Sequence, residues 1–496
     1  MMLHVQLSTE ALLTELRTVA TQLRQTQRAL RVDWAAAGGV PEELARLLAH
    51  PGGGDTERAG FTHAIRLGIS ATRELRARLT ALAADPALVA GALPRALTER
   101  ARILRAAVAE HRREMHAEEA RDAAAALVAH AAAAGRTLTP AEQRAVLGAE
   151  AGDTHDGTSR RLPAGVASAL AALRVREAQR QLRSGLLLSD QMRRVIRGAL
   201  PALYSGAPLL LIGETGGAKT ALAEALATRT GRPPEFVSGY GDISAAQLIG
   251  THELRGERGA TLTVFEPGPL LRAMREGRPL ILDEVNAMPA EFLKRLNRIL
   301  QLRPGAEFAV QEGSGERVRI APGFTIIATA NEHAPHRYRG IEPLSAELVN
   351  RFGANTFRVR YPDADRGYTE FPRDNALLAT AAIATDLGEL PTGLSAEHIE
   401  LVARAAFVSQ QVFSGHHGEG FERYLTTEQR ADQEPGLAET VIAPRTLVAL
   451  LQRVALEGTA DALHTTLTRF ADGVMHPEDR RTLALILEGQ GVRWTR

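Results

Sequence analysis

The chain has 496 residues, a net charge of +1, 45% apolar residues and 24% charged residues. This length and apolar content predict about three domains with sizeable cores, and the near-neutral charge gives no global sign of a nucleic-acid or membrane partner. Because the sequence contains no cysteine, disulfides, thiolate zinc sites and cysteine nucleophiles are excluded.

The sequence favours a cytoplasmic protein without membrane insertion. No apolar run approaches the roughly 18 residues that a spanning helix needs, and the segment MMLHVQLSTE lacks the charged-then-apolar layout of a signal peptide. Aromatic residues make up only 4% of the chain, which argues against a stacking platform for single-stranded nucleic acid.

Residues 1–185 predict an all-helical N-terminal domain, for which binding of a partner or substrate is the hypothesis. Apolar residues recur at helical steps from Leu12 to Leu30. Thr139, Pro140 and Glu142 have the spacing of a capping box at a helix start. A stretch rich in Gly, Asp, Ser and Pro at 152–165 predicts the break before the next domain.

Residues 186–362 predict an α/β core with a parallel five-stranded sheet. Short apolar runs alternate here with helical patterns, as expected for strands that are buried on both faces. The runs are PLLLIG (208–213), EFVSGY (235–240), PLILDE (279–284), FTIIATAN (324–331) and NTFRVRY (355–361). Helical periodicity returns in residues 363–496, which predict a helical C-terminal domain.

The first strand runs into a glycine-rich turn and then a helix, the order that directs backbone N–H groups at a phosphate. Only two of the 59 basic residues are lysines, and one of them, Lys219, ends this turn. Lys219 would reach the β- and γ-phosphates, and the Thr220 hydroxyl would bind Mg²⁺. The candidate nucleotide-binding residues are Gly213, Glu214, Thr215, Gly216, Gly217, Ala218, Lys219 and Thr220.

Ala218 occupies the position where the strict phosphate-loop pattern has glycine. Alanine resists only positive φ, so we expect the loop to have right-handed backbone angles at Ala218, where it turns into the helix. On this basis Ala218→Gly is expected to leave ATP hydrolysis largely unchanged.

Polar side chains end two further buried strands, at the edge where open α/β sheets bind ligands. Asp283 fits a Mg²⁺ partner, and Glu284 fits a base that activates the attacking water. The alternative for this pair is an acidic turn that merely ends the strand. Asn331 could hold the attacking water, although an asparagine that only caps its strand is the simpler interpretation of that residue alone.

The order of Lys219, Asp283–Glu284, Asn331, Arg351 and Arg445 resembles the motif set of the AAA+ ATPases. FEPGPLLRAMREG, LILDEVNAMPAEFLKRLNRIL, IIATANEH and IAPRTLVALLQ are similar to the MoxR-like and dynein-related branch, which includes midasin and CbbQ/NorQ. The resemblance covers about residues 190–496. It implies a P-loop AAA+ αβα core with a helical lid, ATP and Mg²⁺ as ligands, and a homo-hexameric ring.

The resemblance also implies roles for two arginines. Arg351 would be the arginine finger that reaches a neighbouring subunit's γ-phosphate, with Arg339 and Arg337 as alternatives. Arg445 would act from the lid of the same subunit as sensor 2. The segments 242–265 and 306–320, the second of which has the pattern of a β-hairpin, could face a ring pore or be ordinary surface features.

Three functions remain open from the sequence. The leading hypothesis is a ring-forming Mg-ATPase that remodels or activates a protein substrate or partner complex, in the manner of a MoxR-like chaperone. A separate von Willebrand factor A protein is a possible partner, since the chain itself has no DxSxS motif. The alternatives are a McrB-like translocase or defence NTPase that acts on nucleic acid, and a nucleotide-gated scaffold that does not hydrolyse ATP.

Overall fold

The computed structural model describes residues 92–492, apart from 135, 137, 152–163, 258–259, 312–314, 333–343, 385–389, 392–393, 417, 433 and 460. The predicted apolar stripe from Leu12 to Leu30 and the alternative fingers Arg337 and Arg339 lie outside the described residues. No helix of the described part combines the length and the apolar character needed to cross a bilayer.

The described N-terminal part consists of three helices, α1 (Ala92–Ala133), α2 (Pro140–Ala151) and α3 (Ala164–Arg183). The predicted capping box starts α2: Glu142 N–H donates to Thr139 Oγ1 at 3.3 Å, and Thr139 N–H donates to Glu142 Oε2 at 2.8 Å. The long helix α1 packs on the core, because Ala129 is fully buried in the same apolar cluster as the sheet. Contacts therefore cross the predicted boundary at residue 185.

The core begins with α4 (Asp190–Ser205), which Ser189 caps by accepting the N–H of Met192. The elements that follow it are β1 (Leu209–Gly213), α5 (Lys219–Thr228), β2 (Glu235–Ser238), α6 (Ala245–Ile249), β3 (Gly250–Glu257), β4 (Ala260–Pro267), α7 (Pro269–Glu276), β5 (Pro279–Asp283), a 3₁₀ turn (Val285–Ala287), α8 (Ala290–Ile299), β6 (Glu307–Val310), β7 (Glu316–Arg319), β8 (Thr325–Asn331), α9 (Ala346–Phe352), a 3₁₀ turn (Gly353–Asn355) and β9 (Thr356–Val359).

The predicted parallel five-stranded sheet is confirmed. Its order is β2-β5-β8-β1-β9, and every neighbouring pair is parallel. Leu209 and Leu211 pack with α4 and α5 on one face, and Leu210 packs with α7 and α8 on the other. Burial of alternate residues on opposite faces explains the continuous apolar runs in the sequence. The carboxyl ends of β1, β5 and β8 therefore lie side by side at one edge of the sheet, and the candidate site described below is at this edge.

Two antiparallel hairpins lie outside this sheet. The predicted hairpin at 306–320 is formed by β6 and β7. Residues 242–265 contain α6 and most of the longer β3–β4 hairpin, in which the Leu254 side chain is 74% exposed.

The C-terminal part is helical, as predicted. It contains α10 (Arg373–Ile383), α11 (Ala396–Phe413), a 3₁₀ turn (Glu422–Tyr424), α12 (Thr427–Asp432), α13 (Pro444–Glu457), α14 (Ala462–Asp472) and α15 (Pro477–Gly489). These helices bury their own apolar cluster, which includes Phe407, Phe413 and Leu451. Because this cluster is separate from those of the sheet, the helices form a distinct lid over the edge of the core.

Candidate nucleotide-binding site

The phosphate loop joins β1 to α5, and its shape depends on close backbone contacts. A Cβ on Gly213 would lie 2.1 Å from the carbonyl oxygen of Val359, and a Cβ on Gly216 would lie 2.8 Å from the Cβ of Ala443 in the lid. Only glycine fits either position without a shift of its neighbours. The loop is therefore packed between the last strand of the sheet and the start of a lid helix.

Lys219 is buried and points back into its own loop. Its Nζ donates to the carbonyl oxygens of Gly213 and Glu214 at 3.0 and 2.9 Å, and to Asn331 Oδ1 at 2.9 Å. Burial lowers the pKa of Lys219, and the surrounding carboxylates, first among them Glu214 and Glu284, oppose this shift. The ammonium group is thus held at the junction of the phosphate loop and β8.

The prediction of right-handed backbone angles at Ala218 is wrong. Its φ and ψ are 65° and 26°, in the left-handed region. The helix begins one residue later, at Lys219, so Ala218 still belongs to the turn. An alanine in this conformation costs about 1–2 kcal/mol, which the surrounding loop contacts must offset.

Ala218→Gly is therefore expected to stabilise the fold by up to about 1 kcal/mol, because glycine relieves the strain but has a more flexible unfolded state. Urea unfolding measures this change. Ala221→Gly is the matched control, since Ala221 lies inside α5 and its replacement should destabilise by about 1 kcal/mol. Equal destabilisation by both variants would contradict the strain at Ala218.

The acidic end of β5 faces the start of α5. Thr220 Oγ1 lies 2.9 and 3.1 Å from the two carboxylate oxygens of Asp283, to which it donates. A hydroxyl and a carboxylate that meet beside a phosphate loop are the oxygen ligands that Mg²⁺ uses together with substrate phosphates and water. The donor set at Thr220 and Asp283 therefore fits the predicted metal.

Glu284 follows Asp283 and has left-handed backbone angles, with φ 54° and ψ 50°. Its backbone N–H donates to Thr329 Oγ1 at 2.9 Å. Among the described residues its carboxylate has no hydrogen-bonding partner, and it is exposed toward the cavity described below. The turn thus points the Glu284 carboxylate toward the cavity, next to the Asp283 carboxylate, which is held by hydrogen bonds.

Three residues of the site were missed in the sequence. Thr329 Oγ1 donates to Asp283 Oδ1 at 2.6 Å, in addition to accepting the N–H of Glu284. Asn286 exchanges two hydrogen bonds with the backbone of Asn331, at 3.0 and 3.2 Å. Gly239 lies so close to the acidic turn that a Cβ would be 2.3 Å from the carbonyl oxygen of Glu284. A polar threonine inside the apolar run FTIIATAN was the available signal for Thr329.

These groups surround a cavity of about 320 Å³ between the core and the lid. Its lining includes residues 215–220, Asp283, Glu284, Asn331 and Arg445, whereas Gly213 and Glu214 contribute the carbonyl oxygens that accept from Lys219. The lining also includes a set of apolar side chains, Leu182, Leu186, Leu187, Met192, Leu378 and Val448. A cavity lined by both polar and apolar groups suits a ligand that has both phosphates and a base.

Arg445 and Arg351 have different surroundings. Arg445 is exposed in the first turn of α13, lines the cavity, and makes no hydrogen bond or ion pair with any described residue. Arg351 lies in the last turn of α9 and is not among the residues that line this cavity. Its Nη2 lies 3.2 Å from Glu347 Oε1, and Gln301 can accept from both terminal nitrogens at 3.1 and 3.2 Å.

The part of the chain that contains the site is similar to known proteins. Residues 208–352 match the family described as AAA domain (dynein-related subfamily). The uncharacterized proteins SH1500 of Staphylococcus haemolyticus (strain JCSC1435) and YojN of Bacillus subtilis (strain 168) are 37% and 35% identical to the chain over 158 residues. These matches cover 32% of the chain and 57% and 50% of the two relatives. The chain thus spans about half the length of the curated relatives it matches.

Among solved structures, NtrX from Brucella abortus in complex with ATP is similar at 17% sequence identity with a TM-score of 0.35. The match covers 71% of this chain and 76% of NtrX.

Proposed function

We propose, on the premise that residues 208–352 form an AAA domain of the dynein-related subfamily, that the chain is a Mg²⁺-dependent ATPase that remodels or activates a partner protein or complex. The observation that carries this proposal is the convergence of Lys219, Asn331, Thr220 and Asp283 through direct hydrogen bonds at the edge of one cavity. The start of α5 and the carboxyl ends of β5 and β8 supply these groups, so their meeting depends on the fold as a whole.

In the proposed reaction, Lys219 exchanges its loop carbonyl partners for the β- and γ-phosphates of ATP. Asn331 orients a water molecule, and Glu284 accepts its proton as the water oxygen attacks the γ-phosphorus. The bond from the γ-phosphorus to the bridging oxygen breaks, which yields ADP and phosphate. Mg²⁺, held by Thr220 and Asp283, would neutralise charge on the phosphate oxygens.

The test of this function is steady-state phosphate release by the wild-type chain with Mg-ATP, alone and with candidate partner proteins. A rate that saturates with ATP and disappears in excess EDTA is expected. If neither the chain alone nor any mixture turns over ATP, the chain is a nucleotide-gated scaffold or has another role.

We further propose that the active form is a homo-hexameric ring in the cytoplasm, in which Arg351 completes the neighbouring subunit's site. What supports a role in trans is that Arg351 lies outside the cavity of its own subunit. A finger that acts on a neighbour needs head-to-tail contacts, and such contacts can close into rings. A protein partner, including a separate von Willebrand factor A protein, and the MoxR-like chaperone role belong to the same proposal.

Mixing Arg351→Ala subunits with Lys219→Ala subunits should restore activity that neither variant has alone. In a random equal mixture, about a quarter of the sites combine an intact Lys219 with an intact Arg351 from the neighbour, so up to about a quarter of the wild-type rate is expected. Phosphate release from the mixture measures this. A mixture no more active than the sum of its parts would contradict the trans assignment.

A further inference from the structure

Arg445 depends on its backbone for its position. Its guanidinium has no partner among the described residues, and it lies three residues after Ile442, just inside α13. Ile442 is fully buried and is held on both sides. Its N–H donates to Ser409 Oγ at 3.2 Å, and its carbonyl oxygen accepts from Gln410 Nε2 at 2.9 Å. Two neighbouring residues of α11 therefore fix the segment that leads to Arg445.

The side chain of Gln410 is itself hydrogen-bonded to a residue of α10. Gln410 Nε2 donates to Asn375 Oδ1 at 3.0 Å, and Asn375 Nδ2 donates back to Gln410 Oε1 at 3.1 Å. Both residues are fully buried. Two amides that pair in this reciprocal way satisfy each other and fix each other's orientation.

The chain of hydrogen bonds ends in the connection between β9 and the lid. Asn375 Nδ2 donates to Asp363 Oδ2 at 3.0 Å, and the backbone N–H groups of Asp374 and Asn375 donate to the two carboxylate oxygens of Asp363 at 2.9 Å each. Asp363 lies four residues after the end of β9 and has a left-handed φ of 59°. Burial raises the pKa of Asp363, and these hydrogen bonds oppose that shift.

The same segment also touches the phosphate loop directly. Gly216 approaches Ala443, the residue after Ile442, so closely that only hydrogen fits at its Cβ position. Tyr361, in the connection between β9 and the lid, donates from its hydroxyl to the carbonyl oxygen of Thr215 at 2.7 Å. The segment before Arg445 is thus held between the phosphate loop on one side and the Asp363–Asn375–Gln410 chain on the other.

We propose that Asn375 and Gln410 are positioning residues that hold Arg445 beside the phosphate loop and tie its position to Asp363, in the connection between β9 and the lid. Apolar side chains could fill the same volume without the need to satisfy buried amides, but they could not fix the direction of the Ile442 carbonyl group. The proposal rests on the proposed ATPase function, because Arg445 acts only if the cavity binds a nucleoside triphosphate.

A double-mutant cycle with Gln410→Met and Arg445→Ala tests this proposal. Gln410→Met keeps the length of the side chain and removes its hydrogen bonds. We expect it to lower kcat for ATP hydrolysis about tenfold, as the loss of one or two buried hydrogen bonds predicts, with a smaller change in KM. In the Arg445→Ala background the same substitution should cost nothing further in kcat, because it acts through Arg445.

Thr380→Val is the matched control for a merely structural effect. Thr380 is fully buried in α10, and its hydroxyl donates only to the carbonyl oxygen of Ala376 in the same helix at 2.8 Å. The Thr380→Val variant should have a lower free energy of unfolding and an unchanged kcat. If Gln410→Met does not fold, Ser409→Ala removes the other anchor of Ile442 and should show the same dependence on Arg445.

The outcomes separate the two hypotheses. An equal loss of kcat in both backgrounds, or no loss in the wild-type background, would overturn the positioning role and leave the ATPase function standing. An Arg445→Ala variant with the kcat of the wild type would also overturn the positioning role, because Arg445 would then make no contribution to hydrolysis that depends on its position. Absence of phosphate release by the wild-type chain would instead refute the proposed function.

Discussion

Lys219→Ala is expected to weaken ATP binding by at least about 10²-fold. Lys219 is the only described lysine in the cavity, and hydrogen bonds to a charged group contribute about 1.5–3 kcal/mol each. The substitution also leaves the carbonyl oxygens of Gly213 and Glu214 and the amide of Asn331 without their shared donor. Calorimetric titration with a slowly hydrolysed ATP analogue and Mg²⁺ measures the affinity, and thermal unfolding checks the fold.

Lys294→Ala provides a matched control, because Lys294 is the second of the two lysines and is exposed in α8. The Lys294→Ala variant should bind ATP with the same affinity as the wild type. Wild-type affinity in Lys219→Ala would refute the phosphate-loop assignment.

Glu284→Gln is expected to lower kcat about 10²–10⁴-fold, the range for loss of a general base, while ATP affinity stays within about threefold of wild type. The backbone N–H of residue 284 would still donate to Thr329, and the side chain keeps its size, so the turn should be unchanged. Single-turnover hydrolysis, together with the same calorimetric titration, separates the chemical step from binding.

Glu332→Gln tests whether position or charge alone matters. Glu332 is also among the carboxylates that act on Lys219, but its side chain pairs with Arg358. This variant should hydrolyse ATP nearly as fast as the wild type. If Glu332→Gln and Glu284→Gln slow hydrolysis equally, loss of negative charge is the cause, and Glu284 is not the base.

The strands and the phosphate loop could be predicted because their signals are local. A strand buried on both faces needs apolar residues at almost every position, as in LLLIG (209–213), and a phosphate loop needs a fixed spacing between glycine and lysine. The alignment of Asp283 with the loop followed from the rule that ligands bind at the carboxyl ends of parallel strands.

The other contacts of the site depend on strand pairing and packing that the sequence does not display. Thr329 reaches Asp283 because β8 pairs with β5, and the order of the strands could not be deduced from the apolar runs. Asn375 and Gln410 are 35 residues apart and lie in different helices, so nothing local links them. The left-handed angle at Ala218 was missed because average preferences assign such angles to glycine.

The packing of the N-terminal helices limits how the chain can be divided for experiments. A fragment that starts at residue 186 would lose Ala129 from the core and the ion pair of Glu118 with Arg193. It would also lose Gln179, which donates to the carbonyl oxygen of Ala384 in the lid. Newly exposed apolar surface of this kind promotes aggregation. The proposed ATPase is therefore best assayed in the 496-residue chain, and poor solubility of a shortened chain would reflect the loss of these contacts.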